Sequence, residues 1–408
     1  MDFLTKNTTK KSLLSNVEKK KHLLKKRIVR YVYFSGSKSA AEISKKLKTS
    51  IPTITSTINE LISSDILLEQ GHGNSSGGRR PNLYGLQKNI FYILGIDIGR
   101  FTTKMAIFNS KLENITGFES FPIKLKKDSS QIDIIHQFAE KLISESGISK
   151  DKLIGVGIDM PGLVNSANGC NYTYYYEKGR SVLSRFEEKF NLPVYIENDA
   201  KVRALAEYRY GLAKNTKNTL IIHIGWSLGL GMIVNGKLFG GTSGFAGEFG
   251  HIPIVENGIL CNCGKQGCLE TVASGTALVN LAKEGLTAGR NSTLNKTIEN
   301  GKELIPKTII DAANNGDQFA ISIISKIGFE LGKGIAILIQ LFNPELIILG
   351  GRVAEANHYL LTPIDQALNH YSLQKLRQQT KIKISELGVN TTILGSVAMA
   401  IENIFENK

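Results

Sequence analysis

Cysteine is scarce, four in 408 residues, and no apolar run approaches the roughly 18 residues that a bilayer-spanning helix requires. A helical membrane protein is excluded, and the lysine-studded N-terminus has no apolar core of the kind a signal peptide needs. The expected location is the cytoplasm, with no membrane partner. Thiols stay reduced there, which suits metal binding better than disulfides. Acidic residues are also scarce at one end: residues 1–90 hold 17 Lys and Arg against 6 Asp and Glu, an excess of 11 within a net charge of +14. The basic character therefore belongs to the N-terminal segment. The rest is ordinary, 42% hydrophobic and 21% charged, and the length fits two or three domains.

Three of the four cysteines cluster in Cys261-Asn262-Cys263-Gly264 and Gly267-Cys268-Leu269-Glu270, downstream of Gly247-Glu248-Phe249-Gly250-His251. One imidazole and three thiols at this spacing form the ligand set of tetrahedral zinc, and the intervening glycines permit the tight turns that short-range ligands need. Four protein ligands would close the site, so the expected metal is a structural Zn2+ held by His251, Cys261, Cys263 and Cys268. Cys170 is left over as a buried, inert thiol. Glu248 and Glu270 flank the cluster, held in fixed directions that suit a polyhydroxylated ligand.

The pattern E-x-G-H, then G-x-x-C-x-C-G-x-x-G-C-x-E, resembles the ROK family of bacterial sugar kinases and sugar-responsive repressors, position for position from Glu248 to Glu270. The resemblance implies that His251 both ligates zinc and touches a sugar, and that Glu248 and Glu270 accept sugar hydroxyls.

The basic segment reads as three helices and a hairpin. Val17 to Phe34 has apolar residues at helical spacing (Leu23, Leu24, Ile28, Val32) with Lys and Arg between. Ser39 and Glu42 form a capping box that opens a second helix, ending before the turn at 48–50. A third helix buries Ile54, Ile58, Leu61 and Ile62 and turns Thr53, Thr55, Ser56 and Asn59 outward, short polar side chains that can reach base edges. Strands at 66–70 and 82–86 then flank a tip at 71–78, which completes a winged helix-turn-helix. Arg79 and Arg80, between Gly77-Gly78 and Pro81, suit the narrow minor groove of A/T-rich duplex DNA. The segment Gly73 to Pro81 resembles a G-x-S-x-G-G-R-R-P wing of ROK repressors.

Beyond residue 90 β-branched strands alternate with longer helical segments, an α/β reading. The strand 91–98 ends in Asp97-Ile98-Gly99, with 105–109 as its hairpin partner; this resembles the first phosphate loop of the actin-like, ribonuclease-H-like ATPase fold. Arg100 and Phe101 stand where that fold has Gly-Thr. The strand 220–224 leads into Gly225-Trp226-Ser227-Leu228-Gly229-Leu230-Gly231, and the family's kinases have Thr and Gly at the positions of Trp226 and Ser227. Phosphate loops work by close approach of backbone N–H groups, which an indole or phenyl ring blocks, so ATP binding is expected to be lost or very weak. Gly229 and Gly231 remain, as does Asn343-Pro344-Glu345 to Gly350-Gly351, which resembles the family's adenosine loop; tight strand–helix packing explains such glycines equally well.

Glu197-Asn198-Asp199-Ala200 ends the strand 194–196 and opens a helix running to Tyr210. The resemblance makes Asn198 a sugar ligand and Asp199 a sugar ligand that acts as the base in active kinases, while simple N-capping of the helix is the plainer role for Asp199. The turn Met160-Pro161-Gly162-Leu163-Val164 also matches a family turn, and a final helix near 392–405 is expected on the first lobe. The expected layout is a winged helix-turn-helix at 1–88, a first lobe at 89–200 completed by 389–408, and a second lobe with the zinc site at 201–388. The expected function is a sugar-responsive transcription factor, most simply a repressor, acting as a homodimer or tetramer on double-stranded DNA. The rival is an active sugar kinase carrying a DNA-binding head.

Overall fold

The computed structural model describes residues 15–73, 80–126, 130–175 and 179–405. The backbone divides into two compact units, residues up to 199 together with 393 onward, and residues 200–392.

In the first unit, α1 (Asn16–Ser35) starts at a capping box of Ser15 and Glu18 and buries Ile28, Val29 and Val32. α2 (Ala40–Leu47) opens on the expected box: Glu42 N–H donates to Ser39 Oγ at 3.3 Å and Ser39 N–H to Glu42 Oε2 at 2.9 Å. α3 (Ile51–Ser63) is capped by Ser50. A three-stranded sheet, ordered β1 (Lys38–Ser39), β3 (Asn82–Leu86), β2 (Leu67–His72), packs behind these helices. The hairpin expectation missed β1, because two residues become a strand only through pairing with Leu83 and Tyr84. β2 also continues through Gly71 and His72, expected in the tip, with a register irregularity after Glu69. The tip at 74–79, Arg79 included, lies outside the described residues.

The same unit contains a five-stranded sheet in which β4 (Tyr92–Ile98), β5 (Thr102–Asn109) and β6 (Glu119–Pro122) form an antiparallel meander. β7 (Leu153–Met160) and β10 (Val194–Asn198) lie parallel to β4 on its other side, giving the order β10-β7-β4-β5-β6. A small ribbon of β8 (Val164–Asn165) and β9 (Cys170–Asn171) follows β7. On one face of the sheet Leu94, Ile96, Ile158 and Met160 pack with α4 (Gln131–Glu145) and α5 (Val182–Phe190). The opposite face receives the last helix, α14 (Thr391–Phe405), and the resulting core runs without a break from Ile93, Val397 and Ile401 into Ile28, Ile54 and Leu67 of the helical head.

The second unit opens with α6 (Asp199–Tyr210), whose first residue belongs to the first unit. Its sheet has the order β13-β12-β11-β14-β15, formed by β11 (Thr219–Ile224), β12 (Leu228–Val234), β13 (Lys237–Leu238), β14 (Leu346–Gly350) and β15 (Lys381–Ile384). The strand plan repeats that of the first unit: three antiparallel neighbours, then two strands parallel to the first of them. That duplicated plan is the one expected of the actin-like fold. Between the strands run α7 (Glu270–Ala273), α8 (Gly275–Thr287), α9 (Asn295–Glu299), α10 (Pro306–Asn314), the long α11 (Gln318–Phe342), α12 (His358–Tyr371) and α13 (Gln374–Gln379). Among the described residues no helix is long and apolar enough to cross a membrane.

Candidate functional site

The metal ligands expected from the sequence come together in the second unit. One ligand atom from each of His251, Cys261, Cys263 and Cys268 lies within 4.8 Å of all the others. Cys261 Sγ is 3.6 Å from His251 Nδ1, and Cys263 Sγ is 3.5 Å from Cys268 Sγ. Bonds of about 2.3 Å to sulfur and 2.0–2.1 Å to nitrogen in a tetrahedron put ligand atoms roughly 3.5–3.8 Å apart, so the set fits a zinc-sized ion. The backbone explains the convergence: Gly264 turns at φ 88°, its N–H donating to the Cys261 carbonyl at 2.9 Å, and a Cβ on Gly267 would lie 2.9 Å from the Val255 carbonyl carbon. Burial, followed by the Cys263 and Cys261 thiols, pushes the Cys268 thiol up to about 12. Thiols so crowded ionise together only where a cation offsets their charge.

His251 faces the thiols through Nδ1, and its Nε2 lies 3.9 Å from Glu248 Oε2. An imidazole on a metal with its other nitrogen toward a carboxylate is the arrangement that fixes ring orientation and tautomer. Glu270 opens α7, and its Oε2 accepts the Leu228 N–H at 3.0 Å. Lys201, 4% exposed on α6, donates its ammonium to the Gly244 carbonyl in the glycine-rich run that leads to Glu248. Nothing near Lys201 in the chain marks that lysine, since only the fold brings positions 201 and 244 together.

On the first unit, Asn198 Nδ2 donates to the Gly162 carbonyl at 3.0 Å, tying the Pro161-Gly162 turn to the end of β10. Asp199 begins α6, where the helix N-terminus favours a carboxylate. A further acid sits beneath: register pairs Asp159 of β7 with Asp97 on one side and Glu197 on the other, a row of three carboxylates across adjacent strands. Asp159 is fully buried and accepts the Ser396 hydroxyl at 2.7 Å. Glu197 accepts the Ser166 hydroxyl at 3.0 Å and the Asn198 N–H at 2.9 Å. Cys170, expected to be buried, is partly exposed instead: strand alternation gives the covered face of β9 to its neighbour Asn171, 1% exposed, and turns Cys170 to the other face.

Both altered loops are folded onto themselves. Gly99 N–H donates to the Thr102 carbonyl at 3.0 Å, and the Arg100 guanidinium lies 5.3 Å from the centre of the Phe101 ring, which is 45% exposed. In the second loop Gly225 N–H donates to the Ser227 carbonyl at 3.0 Å, while the Gly225 and Trp226 carbonyls accept the Gly275 and Thr276 N–H groups at 2.8 and 3.2 Å. The loop thereby uses the N-terminal donors of α8 that an anion would otherwise take. His223, missed by the sequence reading, fills the space below: a Cβ on Gly225 would lie 2.8 Å from its Nε2, and one on Gly351 2.7 Å from its Nδ1. Burial, then Arg203, drives its pKa well below the usual histidine range, so the ring is neutral. Packing also accounts for two loop glycines, because a Cβ would lie 2.9 Å from Ala200 Cβ at Gly229 and 2.5 Å from Ala204 Cβ at Gly231.

In the head, Thr53, Ser56 and Asn59 are exposed on one side of α3 and Thr55 is half-exposed. Thr53 Oγ1 is 2.7 Å from Ser50 Oγ. Lys21 and Lys25 reach Glu60 of the same helix at 2.6 and 2.9 Å and hold its carboxyl below the usual carboxylate range. Arg80 is exposed at the end of the wing.

The ROK family profile matches residues 93–403. The chain belongs to the ROK family. It is 32% identical over 370 residues to the xylose repressor of Caldicellulosiruptor bescii, covering 90% of this chain and 92% of that one. A glucokinase of Halalkalibacterium halodurans is 35% identical over 308 residues, which span 74% of this chain and 93% of the kinase. A solved ROK family transcriptional regulator, described as a homologue of the E. coli MLC protein, superposes with a TM-score of 0.79 at 28% identity, covering 94% of this chain and 97% of that one. The metal cluster and both altered loops lie inside the ROK match, and the head lies before it. ROK relatives thus include proteins named as repressors, which align over nearly the whole chain, and a kinase that aligns over less of it.

Proposed function

We propose that the chain is a sugar-responsive transcription factor, a repressor, whose head at 1–88 grips operator DNA and whose kinase-derived part senses a sugar or sugar derivative. Thr53, Thr55, Ser56 and Asn59 would meet base edges in the major groove, with Arg79 and Arg80 of the wing in the minor groove. Asn198, Asp199, Glu248, His251 and Glu270 would take the sugar hydroxyls. A structural zinc on His251, Cys261, Cys263 and Cys268 would hold the last three in place, and the metal would have no open position for hydrolysis. The observation that carries the reading is a head with its polar helix face exposed, joined to a domain in which the Gly99 and Gly225 N–H groups of the two altered loops, and the first donors of α8, are already taken up by backbone carbonyls. The repressor names among the relatives support it.

The mechanism is linkage. Sugar that binds one arrangement of the protein better than another shifts their populations, and only one arrangement in a homodimer spaces two heads for adjacent half-sites. A tetramer would use the same rule. The degenerate kinase would keep Asp199 as a hydroxyl acceptor without transferring phosphate.

The second reading, an active sugar kinase with a DNA-binding head, is favoured by the retained Asp199 and by the glucokinase relative. Two assays on one preparation separate them: melting temperature against a panel of pentoses, hexoses and N-acetylhexosamines, and a coupled phosphorylation assay with Mg-ATP. A shift with one sugar and no turnover supports the sensor; turnover in the ordinary enzyme range, about 1–1000 per second, rejects it.

A further inference from the structure

The sensor reading requires a route from sugar to DNA, and the first unit contains a candidate built from one helix. α14 lies against β4 and β7 on the face opposite α4 and α5, and three glycines let it sit close. A Cβ would lie 2.9 Å from Ile393 Cγ2 at Gly95, 2.8 Å from Ile404 Cδ1 at Gly155 and 2.6 Å from the Ser396 carbonyl carbon at Gly157. Contacts without slack move as a body and do not deform gradually.

In the first half of this helix Ser396 donates to the buried Asp159 at 2.7 Å. Asp159 is the penultimate residue of β7, two positions before Pro161 of the turn tied to Asn198, and it is paired in register with Glu197, which directly precedes Asn198 and Asp199. Near the C-terminal end of α14, Lys26 of α1, 9% exposed, donates its ammonium to the Ile404 carbonyl at 3.0 Å. That carbonyl is among the last four of α14, which lack intrahelical donors, and the helix dipole favours a cation there. Arg30 lies 4.0 Å from Glu402, and the Phe91 ring centre is 6.2 Å from that of Tyr33 and 5.7 Å from that of Phe405. Ser396 and Ile404 are eight residues apart, about 12 Å along a helix at 1.5 Å per residue.

We infer that α14 transmits sugar occupancy to the DNA-binding head, with Asp159–Ser396 as its contact at the sugar-binding residues and Lys26–Ile404 as its contact at the head. The inference rests on the sensor reading and names its regulation. A sugar that reorders the 160–164 turn or Asn198 alters the surroundings of Asp159 and therefore the seating of Ser396. The helix carries that change to Lys26, and α1 carries it to the helices packed beside it. Ser396, Asp159 and Lys26 are positioning residues, since they act through the groups that touch sugar or DNA.

The test uses the full chain, DNA from upstream of its own gene, and whichever of xylose, glucose or N-acetylglucosamine shifts the melting of the unaltered protein. Fluorescence anisotropy gives operator affinity with and without sugar, and calorimetry gives sugar affinity without DNA. Ser396→Ala and Lys26→Met are each expected to bind sugar alone and operator alone within threefold of the unaltered protein, while the sugar-induced change in operator affinity falls at least fivefold. Ser396→Thr, which keeps the hydroxyl, should restore it. Variants that melt normally and retain full coupling overturn the inference. If Lys26→Met does not fold, the Ser396→Ala and Ser396→Thr pair decides by the same readout. An unaltered protein whose operator affinity no sugar changes rejects the sensor reading itself, and the inference with it.

Discussion

Gly157→Ala adds one carbon where α14 rests on β7. The new Cβ would lie 2.6 Å from the Ser396 carbonyl carbon and 3.3 Å from Ala400 Cβ. Carbon contacts are comfortable at about 3.5–4.0 Å, so the helix must lift by roughly 1 Å. Overpacking of this kind costs about 1–3 kcal/mol, and because the nearest obstacle is the Ser396 backbone carbonyl, which cannot rotate aside as a side chain can, the upper end applies. The lower chain entropy of alanine returns about 0.5–1 kcal/mol, which leaves a net loss near 2 kcal/mol. For a unit of this size about 2–4 °C of melting temperature accompanies each kcal/mol, so calorimetry should find a fall of about 4–8 °C. Operator affinity should fall as well, although no DNA-facing side chain is touched. The control is Gly350→Ala, whose nearest new neighbour, Ser385 Cβ, stands at an ordinary 3.6 Å and whose expected change is within about 0.5 kcal/mol. Equal melting temperatures for Gly157→Ala and the unaltered protein would refute the seating of α14.

The remaining expectations concern the functional residues. Cys261→Ser or Cys268→Ser should lower zinc, measured by elemental analysis, from one ion per chain to well below that and reduce thermal stability; retention of a full equivalent would remove these thiols from the ligand set. Replacing Arg79 and Arg80 by Ala should weaken operator binding and reduce the slope of log affinity against log salt by about 2, and an unchanged slope would count against the wing. Asp199→Asn should weaken sugar binding by about 1.5–3 kcal/mol, the range of a hydrogen bond to a charged group, while leaving DNA affinity without sugar as it was. Calorimetry with no loss would leave Asp199 only its helix-capping role.

Features with local causes were legible in the sequence. The metal ligands lie within eighteen positions and need only turns between them, and the Ser39–Glu42 box and the stripe Ile54, Ile58, Leu61 depend on neighbours one or two helical turns away. What was not legible depends on distant pairing. Strand β1 exists because Leu83 and Tyr84 meet it. Lys26 read as one more cation on a basic helix, yet it is buried because Ile404, 378 positions away, supplies its acceptor. Asp159 and Ser396 are 237 positions apart, and Gly157 gave no hint in the sequence that a helix backbone would press against it. His223 interrupts an apolar strand between Ile222 and Ile224, a signal that could have been used, but the glycines it packs beneath are named only by the fold.

In the proposed function, one chain joins operator binding to sugar binding without phosphoryl transfer. Titrating labelled upstream DNA with the protein, in the presence of each sugar of the panel and without ATP, tests it most directly. Binding in the range of about 10⁻⁸–10⁻¹¹ M is expected, and a single sugar should change it at least fivefold. DNA affinity indifferent to every sugar, or absent altogether, would contradict it.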